Sequence, residues 1–128
     1  RMAVRVAKIY GGSPVLNVFD IQDDFRELPG IKIKDFGEQT TEEWARFVMN
    51  NRNHSFDNIE DILCNQDNKY DIVIGPVADD NMALLFRQYE NEIIDFQTLL
   101  KGMVYKKTSS QYSFHTEKSI RLLRKVED

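Results

Sequence analysis

Two adjacent carboxylates, Asp79 and Asp80, lie in "YDIVIGPVADDNM", where Ile72-Val73-Ile74 ends at Gly75-Pro76 and a helical pattern begins. Aspartate at a helix start accepts hydrogen bonds from free backbone N–H groups and complements the positive end of the helix dipole. One aspartate suffices for that. The pair therefore has two readings, a helix cap or a carboxylate site for substrate or metal. His115-Thr116-Glu117 is the second cluster, at the end of one predicted element and the start of another. His115 is either a surface or capping group or a catalyst, and Thr116 can cap a helix. Gln111, four residues earlier, is a solvated strand end or an uncharged hydrogen-bonding group facing a cleft. Arg52 follows a capped helix and is an exposed charge, or else a binder of an anion or of a partner's carboxylate.

Other chemistry finds no pattern. His54 and His115 are far apart and Cys64 is the single cysteine, so no zinc-ligand spacing occurs and no internal disulfide can form. There is no P-loop, no G-x-G-x-x-G and no G-x-S-x-G, and Gly11-Gly12-Ser13 reads as a turn.

The elements that must position these residues follow from periodicity. Met2, Val6 and Ile9 mark one face of a short helix over 2–9. "VLNVFDI" (15–21) predicts a strand apolar on most of both faces, interior to a sheet. "IKIKDF" (31–36) alternates and predicts a strand near an edge. Thr40 and Glu43 have capping-box spacing for a helix that buries Trp44, Phe47 and Val48. Residues 53–69 read as a polar surface insertion holding at most a two-turn helix through Asp57, Ile59, Ile62 and Leu63. Ile72–Ile74 predicts a central strand buried on both faces. Met82, Leu85, Phe86 and Tyr89 stripe one helix, and Phe96, Leu99, Leu100 and Met103 stripe another, capped by Asp95. "QYSFH" (111–115) alternates as a strand, and Thr116 caps a last helix burying Ile120 and Leu123. Helices and strands in this order give an α+β domain rather than a repeating βαβ array.

The chain has 128 residues, which suits one domain. Its net charge of −4 argues against a non-specific nucleic-acid binder, which would show a basic face. No stretch approaches the ~20 apolar residues of a membrane span, and no signal peptide is visible. With one cysteine, a cytoplasmic protein is expected.

The ordered set "EWARFVMNNR", "YDIVIGPVADDNM" and "SSQYSFHTEKSIRLL" resembles a family of uncharacterised bacterial domains related to the ADP-ribosyltransferase fold, over nearly the whole chain. The resemblance implies a mixed, split β-sheet flanked by helices, and transfer of ADP-ribose from NAD to a macromolecule, as a toxin of a toxin–antitoxin pair. It implies that Gln111 is the catalytic residue, at a position usually occupied by glutamate, and that glutamine cannot serve as general base there. Asp79, Asp80, Arg52, His115 and Thr116 become its substrate-binding candidates, NAD the substrate, and no metal is implied. Relatives carry an N-terminal segment that grips the nicotinamide and its ribose, with a His-Gly-Ser-like strand and an aromatic-rich strand. Neither is found in residues 1–128. With Arg1 preceding Met2, the expectation is a truncated chain holding the C-terminal two-thirds of the domain. Such a chain is expected to be inactive as it stands and to self-associate through exposed sheet edges. The alternatives are a non-catalytic module that binds a protein antitoxin, and a hydrolase using Asp79, Asp80 and a metal.

Overall fold

The computed structural model describes residues 17–53, 56–78, 80–104 and 109–126. The helix expected over 2–9, His54 and Asp79 lie outside them. The elements are β1 (Phe19–Ile21), a 3₁₀ turn at Phe25–Glu27, β2 (Ile33–Asp35), α1 (Glu42–Asn53), β3 (Ile72–Pro76), α2 (Asp80–Glu90), α3 (Phe96–Val104), β4 (Ser110–Phe114), α4 (Glu117–Ile120) and β5 (Leu123–Lys125). They build an α+β chain with two small sheets. One is the antiparallel pair β1-β5; the other is mixed, in the order β2-β3-β4, with β2 parallel and β4 antiparallel to β3.

β3 is the centre of the fold. All five of its residues are buried, as the unbroken apolar run requires. Below it, Ile72 and Ile74 pack on Phe25, with Ile33, Phe114 and Leu122 around them. Above it lies α1. Trp44, Ala45 and Met49 join Met82 and Phe86 of α2 and Leu99 and Met103 of α3 in a helical core. The α3 stripe starts as expected, because Asp95 Oδ1 accepts from the Thr98 N–H at 2.7 Å.

Several expectations are corrected. Among the described residues β1 is not interior to a sheet: it pairs there with β5 alone, and Val18 and Phe19 are about half exposed. The α1 cap is Thr41, whose hydroxyl accepts from the Trp44 N–H, while Thr40 donates instead to the Met103 carbonyl. Residues 57–63 form turns rather than a helix, and Cys64, Asn65 and Asn68 take positive φ. That segment is polar in composition, yet Ile59 and Cys64 are buried against Phe47 and Val73. Asn50 and Asn65 bracket it, each bonding both backbone groups of a neighbour, at Phe56 and Tyr70 respectively. The last helix stops after one turn. Leu123 pairs with Ile21 across the β1-β5 ladder, a contact that a continuing helix would forbid, and Ile120 is exposed rather than buried.

Candidate functional site

A groove of about 290 Å³ lies between α1 and the upper face of β3 and β4. Its floor follows from strand geometry. Side chains alternate across a sheet, so Gln111, Ser113 and His115 share one face. The register sets Ser113 beside Val73 and Gln111 beside Gly75. All five residues line the groove.

The wall is one stripe of α1: Trp44, Phe47, Val48, Asn51 and Arg52. Trp44 packs on Phe86, with ring centroids 6.2 Å apart, and Phe47 meets Phe36 edge-on at 4.8 Å. Gly75 permits this close approach. A Cβ there would stand 3.2 Å from Trp44 Cδ1 and 3.3 Å from Nε1, in a buried indole. The Arg52 guanidinium lies 5.3 Å from the Phe86 ring centroid, a cation–π contact. No carboxylate is among the described residues of the lining. Gln111, Ser113 and His115 make no side-chain hydrogen bond to another described residue, so their polar groups are free for a ligand.

Nearby, Thr116 is committed to the fold. Its hydroxyl accepts from the Ser119 N–H in a capping box on α4 and donates to Asp71 Oδ1 at 2.8 Å. Asp71 Oδ2 accepts from the Lys32 N–H at 2.8 Å and faces the Lys118 ammonium at 3.5 Å. Burial pushes the Asp71 carboxyl up, but the Lys32 amide, the Thr116 hydroxyl and the Lys118 charge outweigh it and hold the group below the usual aspartate range. The Asp71 carbonyl also accepts from the His115 N–H, so this knot fixes the end of the strand from which His115 enters the groove.

Of the residues singled out in the sequence, Gln111, Arg52 and His115 come together, and Thr116 does not reach them. Asp80 opens α2, two positions beyond the lining residue Ala78. Trp44, Phe47, Asn51, Gly75 and Ser113 belong to the site and were not expected there. Ser113 was legible from its place midway between Gln111 and His115 on an alternating strand. Trp44 and Phe47 read equally well as pure core.

Among the described residues no three His, Cys, Asp or Glu side chains gather to hold a metal ion, and no helix is long and apolar enough to cross a membrane. No curated protein and no solved structure matches the chain. A family described as "Protein of unknown function (DUF3990)" matches residues 1–124, and the chain belongs to that family.

Proposed function

We propose that the groove is the acceptor-facing part of an ADP-ribosyltransferase-like NAD site, with Gln111 as the residue that orients the reacting ribose. The carrying observation is the projection of Gln111, Ser113 and His115 from one strand face into a hollow walled by Trp44 and Phe47. Small-molecule pockets run from roughly 300 to 1,000 Å³, so a groove of about 290 Å³ suits one nucleoside-sized half of NAD.

In the reaction, the glycosidic C–N bond of NAD breaks, nicotinamide leaves with the electron pair, and the acceptor nucleophile bonds to C1′ and loses its proton. The Gln111 amide has donors and an acceptor for ribose hydroxyls but no basicity. It therefore orients the sugar and stabilises developing charge, and the acceptor's proton leaves to solvent or to His115. The aromatic wall excludes water from one side of the ring.

The test is release of nicotinamide, or transfer of labelled ADP-ribose, by the protein and by Gln111→Ala. Loss of one preorganised hydrogen-bonding group lowers turnover by roughly 10²-fold or more. Unchanged turnover in a folded variant removes Gln111 from the reaction.

A second reading is favoured by the free edge of β4. Among the described residues no strand pairs with its outer side, and Tyr112 on that strand is partly exposed. A protein-binding module of a toxin–antitoxin system would accept a strand of its antitoxin there, giving main-chain hydrogen bonds along Ser110–Phe114. Co-purification of a small protein partner, with no NAD binding by calorimetry, supports this reading over the first. A second copy of the chain at that edge is detected as a dimer by light scattering.

A further inference from the structure

We infer that Arg52 makes the groove an anion site, holding the phosphate of a mononucleotide-sized ligand whose flat ring lies along the Trp44–Phe47 wall. This rests on the nucleotide reading of the same groove and adds the residue and the charge that select the ligand.

The distribution of charge carries the argument. The chain has 21 acidic and 17 basic residues, yet its described groove lining holds Arg52 and His115 and no carboxylate. An acidic protein whose hollow is lined with donors and a cation draws an anion into that hollow against its own overall field. Arg26, Lys34, Arg46, Lys118, Arg121 and Arg124 each have a carboxylate within ion-pair distance. Arg52 has none among the described residues, and neither do Lys32, Lys69, Arg87, Lys101 and Lys125, but of these Arg52 alone lines the groove.

The bland role for Arg52 is complementing the negative end of α1, since it lies in the last turn. That role asks only for a charge near the helix end. Here the guanidinium also lies over Phe86 and lines the groove. A cation–π contact uses no N–H donor, so the guanidinium, with no carboxylate partner among the described residues, keeps its donors to bind two oxygens of a phosphate at once. Gln111, Ser113 and Asn51 line the same hollow with neutral groups, so nothing described in it repels an oxyanion. A volume of about 290 Å³ takes one ring, one sugar and one phosphate, not a second nucleotide.

Calorimetric titration with three probes tests this: nicotinamide mononucleotide, nicotinamide riboside (the same molecule without its phosphate) and inorganic pyrophosphate. The protein is compared with Arg52→Gln, whose melting temperature is checked first. The expected result is mononucleotide binding at least about tenfold tighter than riboside, with Arg52→Gln erasing that difference and leaving riboside affinity unchanged. Equal affinities for riboside and mononucleotide in the protein overturn the inference. So does a variant that still discriminates between them, and in both cases the nucleotide reading survives. Pyrophosphate bound by the protein and lost in Arg52→Gln, with neither nicotinamide compound binding, upholds the anion site and sinks the NAD reading. Silence from all three probes overturns both.

Discussion

Two polar regions sit a few residues apart on the same pair of strands, and they differ in how their hydrogen bonds are used. At one end, Asp71, Thr116, Ser119 and Lys118 satisfy one another and the Lys32 amide, with Asp71 and Ser119 buried and Lys118 exposed. At the other, the side chains of Gln111, Ser113 and His115 face a groove and bond to no described side chain or backbone group. A buried polar group costs stability unless it is paired, so the first region is explained by folding alone. The second gains nothing for folding that an apolar residue would not give. The contrast separates paired from unpaired polarity more sharply than residue type does: the side chains of Thr116 and His115 are neighbours in sequence and fall on opposite sides of it.

Breaking the knot gives the largest effect. Asp71→Ala removes the acceptor for the part-buried Lys32 amide and for the Thr116 hydroxyl and is expected to cost about 3 kcal/mol, or roughly 10 °C in melting temperature. Chemical denaturation measures it. Asp71 also makes the knot sensitive to acid. Its pKa is lowered by folding, so its contribution is fully present above the unfolded value and is lost as pH falls through the folded one. The stability gap between the protein and Asp71→Asn should therefore hold constant from pH 7 down to about pH 4 and shrink below it. A gap that grows on acidification would mean that Asp71 is not stabilised as the carboxylate.

At the groove, Gly75 is the most sensitive position. Gly75→Ala sets a Cβ against the buried indole of Trp44, which has Phe86 behind it. The expected cost is about 1–2 kcal/mol, with a narrowed groove and weakened ligand binding. A variant of full stability would show that the indole can retreat, and that the groove is softer than its aromatic wall suggests.

Local signals carried much of this fold. The stripes of α1, α2 and α3, the Asp95 and Thr116 caps and the buried run of β3 all depend on residues within a turn or a strand of one another. What stayed hidden depends on distant partners. Ile120 and Leu123 have helical spacing, but the extended pairing of Leu123–Lys125 is dictated by Phe19–Ile21, about a hundred residues away in the chain. Gly75 reads as the end of a strand, and only the folded chain brings Trp44 against it. For the site, the alternation of Gln111, Ser113 and His115 was visible. That their shared face meets the aromatic stripe of α1 across an open groove was not.

The smallest effect is the most diagnostic. Gln111 is exposed, stands beside Gly75 in the ladder and makes no side-chain hydrogen bond to a described residue. Gln111→Leu leaves the backbone ladder intact and deletes no side-chain hydrogen bond to a described residue. Its stability is therefore expected to stay within about 0.5 kcal/mol of the parent, as for surface substitutions away from special features. A gain is as acceptable as a loss, because an apolar side chain suits the neighbouring Trp44–Phe47 wall, and sites kept for function commonly sacrifice stability. A loss of 2 kcal/mol or more, of the size seen when a buried hydrogen bond is broken, would place Gln111 with Asp71 among the structural groups. The division between knot and groove, and the catalytic role drawn from it, would then fail together.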